Sequence, residues 1–136
     1  MSKFFISIDQ GTTSSRAVLY NSSFDQLSQE QKEFKQYYPA EGLVEHDPEE
    51  IWRSVFETTK SLMAKNEVKS EDIISIGITN QRETAMLWDN KGKVLDNAIV
   101  WQDRRSAKYC EELKSKGLEK IITAKTGLLL DPYFSA

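Results

Sequence analysis

The sequence predicts an α/β fold, a mixed β-sheet with flanking helices, opened by a hairpin over residues 4–9 and 16–20. Three observations carry this. The run Phe4-Phe5-Ile6-Ser7-Ile8-Asp9 and the run Arg16-Ala17-Val18-Leu19-Tyr20 flank about six turn-type residues, the pattern of two strands joined by a turn. Asp47-Pro48-Glu49-Glu50 is a helix start: an acid that caps, a proline at the first helical position and a glutamate that completes a capping box. The β-branched run Ile73 to Thr79 reads as a buried strand.

The elements follow in order. Asn21-Ser22-Ser23 makes a turn, and a third strand runs near Gln31 to Tyr37, polar on one side. The helix from Pro48 carries Ile51, Trp52, Val55, Phe56, Leu62 and Met63 as an apolar stripe and ends near Asn66, with the spacing of an amphipathic helix. After the strand at 73–79 a second hairpin is expected, with arms Thr84 to Trp88 and Val94 to Trp101 and a turn at Asp89-Asn90-Lys91-Gly92. Ser106 to Lys116 is a helix packed, like that at 48–65, on the sheet, and Gly117 stops it. Glu119 to Lys125 is a short helix. The tail LLLDPYFSA is apolar and uncapped, so Leu128 to Leu130, Tyr133 and Phe134 read as segments awaiting a partner, and the chain as the front part of something longer.

Composition excludes several classes. The 136 residues suffice for one domain with a sizeable core. Net charge is −3, so no field of one sign points to nucleic acid or an anionic membrane. No apolar stretch approaches the ~18–20 residues that span a bilayer, and no signal-peptide layout opens the chain. One cysteine, Cys110, excludes an intrachain disulfide and fits a reducing cytoplasm. It reads as a buried small apolar residue, and one His with one Cys cannot make a common zinc site.

The chemistry concentrates at strand ends. In IDQGTTSSR, residues 8–16, a carboxylate, a glycine, four hydroxyls and a cation fall in eight positions. Polyphosphate is held by such groups: Asp9 for Mg2+, Gly11 for close approach of the backbone, Thr12, Thr13 and Ser14 as donors, Arg16 as the cation. The plain alternative is a polar hairpin turn, because these residue types favour turns locally, and no G-K-[ST] of a Walker loop is present. ITNQRET, residues 78–84, sets Asn80, Gln81, Arg82 and Glu83 at the mouth of a strand. A polyol, whose hydroxyls each donate and accept, needs such a mixture; a solvated turn is the bland alternative. In AIVWQDRR, Trp101 is either a core aromatic or an apolar wall for a small carbon chain. Arg104 and Arg105 read as a solvated helix start, and Tyr133 either offers its hydroxyl to the same ligand or packs.

Together the strings DQGTTSSRAV, GLVEHDPEEIW, IGITNQRET, NAIVWQDRR and TGLLLDPYFS resemble the N-terminal part of the sugar- and polyol-kinase family. ITNQRET with DPYFS points, within it, to members that phosphorylate glycerol. The resemblance implies a ribonuclease H-like (actin-like ATPase) domain that is incomplete here, with residues 1–136 as the N-terminal part of the first kinase domain. It implies Asp9 as the acid associated with Mg2+, and Thr12, Thr13 and Ser14 as nucleotide-phosphate contacts. Arg16 becomes a phosphate ligand near the transfer site. Arg82, Glu83 and Tyr133 become the groups that hold the glycerol hydroxyls, with Trp101 the wall behind its carbons. The implied reaction is glycerol plus ATP giving sn-glycerol 3-phosphate plus ADP, in a cytoplasmic, homo-oligomeric parent.

The base that takes the hydroxyl proton lies, in that family, on an aspartate much farther along, as does most of the adenosine site. Neither Asp103 nor Asp131 becomes the base by the resemblance, so this polypeptide alone is expected to lack activity. Two alternatives stay open: a related kinase acting on another polyol or sugar, and a non-catalytic ligand-binding module.

Overall fold

A computed structural model of the chain describes residues 3–134. They form two compact units: residues up to Lys35 with Pro48–Gln81, and Gln36–Asp47 with Arg82 onward.

The first unit is a four-stranded mixed sheet with one helix. Strands β1 (Phe4–Gln10), β2 (Ser14–Tyr20) and β3 (Gln26–Glu33) form antiparallel pairs, and β5 (Ile73–Asn80) lies parallel to β1, giving the order β3-β2-β1-β5. The first hairpin is tighter than its composition suggests. Only Gly11, Thr12 and Thr13 lie between the strands, because Ser14 and Ser15 continue the ladder opposite Glu33 and Lys32. The third strand begins five residues before its expected start and ends at Glu33. Its start is set by the turn before it, where the Asn21 side-chain oxygen accepts from the Ser23 and Asp25 N–H groups and Phe24 takes φ 64°, an asparagine-nucleated turn.

Helix α1 (Pro48–Lys65) has the expected bounds, with acids in its first turn and Lys65 in its last, as the helix dipole favours. Its rotation differs from the expected stripe. Ile51, Thr58 and Leu62 are buried, whereas Trp52 and Phe56 are 64% and 54% exposed and stack on each other with centroids 6.3 Å apart. A shift of one residue turns a helix by about 100°, so these two rings belong to the neighbouring face. Leu62 meets Ile6 and Ile8 of β1 and Ala17 and Leu19 of β2, with Val68 closing the core.

Two polar positions share the interface. The Ser54 hydroxyl donates to the Ile51 carbonyl, so at the 2.8 Å Ser15–Ser54 contact it is Ser15 that donates. The Thr58 hydroxyl is buried without a hydrogen-bond partner.

Strand β5 departs most from its sequence. Register places Ile76 and Ile78 opposite Ile6 and Ile8, hence on the core face, yet they are 48% and 71% exposed. The strand is at the sheet edge, and α1 packs mainly over β2 and β3. A β-branched run marks a surface suited to burial; it does not supply the layer that covers it.

In the second unit, short strands β4 (Glu45–His46) and β6 (Ala98–Ile99) pair antiparallel. The expected second hairpin is reduced to isolated bridges, Ala85 to Ile99 and Trp88 to Val94. Its turn forms, with Asp89 accepting from the Lys91, Gly92 and Lys93 N–H groups. The returning arm breaks where Asp96 accepts from the Asn97 N–H, a local bond that competes with the ladder. Helix α2 (Ala107–Ser115) forms within its expected span, and Gly117 follows at φ 72°. It belongs to the second unit. Helix α3 (Glu119–Thr126) follows, ending at Gly127 with φ 74°. Cys110 and Leu130 are buried, Leu129 and Tyr133 exposed. Among the described residues no helix is long and apolar enough to cross a membrane.

Two outcomes follow. Thr58→Val removes an unsatisfied hydroxyl, so it should raise the unfolding free energy by about 1 kcal/mol, whereas Ser54→Ala strands the Ser15 hydroxyl and should lower it similarly; denaturant titration checks both, and a destabilised Thr58→Val refutes the first. Exposed Ile74, Ile76 and Ile78 should make the isolated chain self-associate. Light scattering that gives a monomer across a tenfold concentration range would count against this.

Candidate functional site

The first hairpin gathers the predicted phosphate groups at the C-terminal end of β1. The Gly11 N–H donates to the Ser14 carbonyl at 2.9 Å, and a Cβ on Gly11 would stand 3.2 Å from that oxygen. The turn therefore favours a residue without a side chain. Asp9 is paired with Arg16 in register, and Arg16 Nη2 donates to Asp9 Oδ2 at 2.9 Å with both side chains nearly half exposed. Strand alternation sends Ser15 into the core and leaves Ser14 on the face of Arg16, where the Ser14 hydroxyl accepts from the Gln31 amide at 2.8 Å. Thr13 is exposed, Gly11 and Thr12 half-buried. All five predicted phosphate-site residues, Asp9, Thr12, Thr13, Ser14 and Arg16, thus share one hairpin end.

The predicted acceptor residues all fall in the second unit. Trp101 and Tyr133 meet edge-on with centroids 5.4 Å apart, and Tyr133 meets Phe134 at 4.9 Å. Glu83 lines a cavity of about 330 Å³ together with Asp131, Phe134 and the Cys110 side of α2. Its backbone sits at φ 60°, a left-handed conformation that a glutamate adopts only where surroundings impose it. Arg82 is exposed and does not line that cavity. The structure joins Trp101 to Tyr133 and brings Glu83 to the residues on either side of Pro132–Tyr133; it leaves Arg82 facing water.

What holds this corner goes unseen in the sequence. Arg105 is not a solvated helix start. Asp103 is 3% exposed and accepts four hydrogen bonds: from the Val44 N–H at 2.7 Å, the Arg105 N–H at 2.8 Å, Arg105 Nε at 2.8 Å and Arg105 Nη2 at 2.9 Å. Arg105 Nη2 also donates to Glu45 Oε1 at 2.7 Å. Burial pushes the Asp103 carboxyl up, but the Arg105 and Val44 donors outweigh it and hold the group below the usual carboxylate range. Arg105, then Asn97, do the same to Glu45, while Asp103 and Glu45 raise Arg105. Arg104 is likewise engaged, donating to Asp131 Oδ1 at 3.0 Å.

Residues 4–136 match the N-terminal domain model of the FGGY family of carbohydrate kinases. The chain belongs to that family. Among curated FGGY relatives it is 55% identical to a glycerol kinase of Rhizobium meliloti (strain 1021), over 99% of this chain and 27% of the relative. It is 56% identical to a glycerol kinase of Chelativorans sp. (strain BNC1), over the same shares. Its fold superposes on the Plasmodium falciparum glycerol kinase solved with ADP, with a TM-score of 0.88 and 35% identity over 99% of this chain and 27% of that one. A gluconate kinase from Lactobacillus acidophilus shares the fold at a TM-score of 0.85 and 23% identity, over 98% of this chain and 26% of that one. The chain thus spans about 27% of the length of the curated relatives it matches.

The Asp103 network sets a pH dependence. A depressed carboxyl contributes stability above its unfolded value, and the contribution is lost as pH falls through the folded one. Unfolding free energy should begin to fall near pH 4, where ordinary carboxylates titrate, and keep falling below. Asp103→Asn should cost about 2–3 kcal/mol at neutral pH, less than the ~3–5 of a fully buried pair because the Arg105 side chain is 36% exposed. It should also flatten the acid slope. An unchanged slope in denaturant titrations at pH 3–7 would show that other carboxylates carry it.

Proposed function

We propose that this chain is the N-terminal portion of a glycerol kinase, which transfers the γ-phosphoryl group of ATP to glycerol and forms sn-glycerol 3-phosphate and ADP. The Trp101–Tyr133 ring pair, with the left-handed Glu83 lining a cavity against Asp131, Pro132 and Phe134, carries the reading, because these groups offer an apolar wall and hydroxyl-binding partners within the second unit. The curated relatives named above support glycerol as the acceptor. The nucleotide follows from the kinase family and from the Plasmodium relative, whose crystal structure is a complex with ADP.

The residues present fit the groups the reaction needs. Asp9 is exposed enough to reach a cation. Mg2+ takes one or two carboxylates and completes its shell with phosphate oxygens and water; bound at Asp9, it would neutralise phosphate charge. Thr12, Thr13 and Ser14 donate hydroxyl and amide hydrogens to phosphate oxygens, and Arg16 supplies a fixed cation. Glu83 accepts from glycerol hydroxyls, Tyr133 donates to them and Trp101 excludes water from behind the carbons; Arg82, exposed and off the Glu83 cavity, would have to swing inward to donate as well. Positioning and charge stabilisation then supply most of the rate. A base for the acceptor proton and the adenosine contacts fall to residues outside these 136, so the chain alone is proposed to lack turnover. A reducing cytoplasm suits the single free cysteine, and a homo-oligomeric parent is part of the same reading.

Loss of a charged hydrogen-bonding group from a closed polar site costs about 2–5 kcal/mol. In the complete kinase chain Glu83→Ala should therefore raise the glycerol KM and lower kcat, with the ATP KM changed little. Arg16→Ala should act mainly on the ATP side. A coupled assay on the isolated 136-residue chain should read zero. Unchanged glycerol KM and kcat in Glu83→Ala would remove the acceptor site from the second unit.

A further inference from the structure

Tyr133 and Trp101 are 32 positions apart in the sequence, and neither residue is fully buried. Their edge-on contact needs something to fix the two segments against each other. The backbone of Arg104, three residues after Trp101, is anchored by its N–H bond to the Gly42 carbonyl at 2.8 Å. Its guanidinium Nη1 donates to Asp131 Oδ1 at 3.0 Å. That same oxygen accepts from the Tyr133 N–H at 2.9 Å, and the Asp131 carbonyl accepts from the Phe134 N–H at 3.1 Å. Trp101, Arg104, Asp131 and Tyr133 therefore form a closed ring of covalent and non-covalent links across two segments.

We propose that Arg104 and Asp131 are positioning residues for the acceptor wall: their ion pair, passed on through the Asp131 bond to the Tyr133 N–H, sets the Tyr133 ring edge-on to Trp101. This rests on the reading of Trp101 and Tyr133 as the wall and hydroxyl donor of a polyol site. The pair is half exposed, with side-chain exposures of 53% and 35%, and exposed pairs contribute little to folding. Its effect is thus expected in where Tyr133 points. The Tyr133 N–H and the Arg104 guanidinium together hold the Asp131 carboxyl below its usual range, so at neutral pH it stays a charged acceptor for both donors.

The test uses the complete kinase chain with Arg104→Gln, Asp131→Ala, the double variant and Arg104→Lys, measured for glycerol KM, ATP KM, kcat and thermal midpoint. Each single variant should raise the glycerol KM about threefold to tenfold, with the ATP KM and the midpoint unchanged. The double variant should be no worse than the singles, because both remove one link. Arg104→Lys, which keeps the charge and a donor, should recover most of the loss. Equal rises in both KM values, an additive double variant or an unchanged glycerol KM would each overturn the proposal. Tyr133→Phe and Glu83→Ala run beside them separate the two readings. If those variants raise the glycerol KM while Arg104→Gln and Asp131→Ala do not, the positioning role fails and the acceptor site stands. If they too leave it unchanged, the acceptor site falls and the positioning role with it.

Discussion

A carboxylate withdrawn from water must collect enough donors to remain charged, and in the second unit that requirement organises everything near Trp101. Asp103 collects four, two of them backbone N–H groups from Val44 and Arg105. Val44 in turn accepts from the Val100 N–H at 3.0 Å, and Val100 accepts from the Asp103 N–H at 2.8 Å. The chain from 100 to 103 is therefore closed on itself and tied to Val44 on both sides, with Trp101 inside the turn. Strands β4 and β6 have two residues each, too short to hold such a turn alone. The side-chain network does what the ladder is too short to do.

The first unit solves a different problem, that of bringing polar groups to a strand end without burying them. Its hairpin loop is only Gly11, Thr12 and Thr13, and the alternation of β2 does the sorting. Ser15 goes inward to Ser54, while Ser14 and Arg16 go outward beside Gln31 and Asp9. The hydroxyl row that reads as uniform in sequence is split by the pleat into a packing residue and ligand candidates.

Elements set by local signals were legible. The Asp47-Pro48 pair marked where α1 starts, and turn-type residues between apolar runs gave the hairpin. What depends on distant chain was not. The exposure of Ile76 and Ile78 is a matter of sheet order, which a β-branched run does not encode. The outward Trp52 and Phe56 differ from the buried stripe by one position, within the width a mixed apolar pattern allows. For the site, residue types at strand ends identified Asp9, Arg16, Glu83 and Trp101 as candidates, and the tail DPYFS added Tyr133. The left-handed backbone of Glu83 had no signature, because that conformation is enriched in Gly and Asn, not Glu. Asp103 was illegible for a plainer reason: DRR before a helix has the composition of a solvated surface, and only the fold shows that its first residue is sealed.

Two aspartate–arginine contacts of the same chemistry therefore differ in how firmly they are held. Asp103 and Arg105 are committed. The carboxylate is buried, its oxygens carry four bonds, and separating it from its partly exposed partner would leave a charge stranded at a cost of about 2–3 kcal/mol, short of the ~3–5 of a fully buried pair. Asp9 and Arg16 share one bond at 2.9 Å with both side chains nearly half in water, and pairs of that kind are worth about 0–1 kcal/mol. Opening the second pair therefore costs little, which is what the proposed cation at Asp9 and phosphate at Arg16 require. Solvent exposure, more than residue identity, decides which acid–base pair is a strut and which can open at little cost.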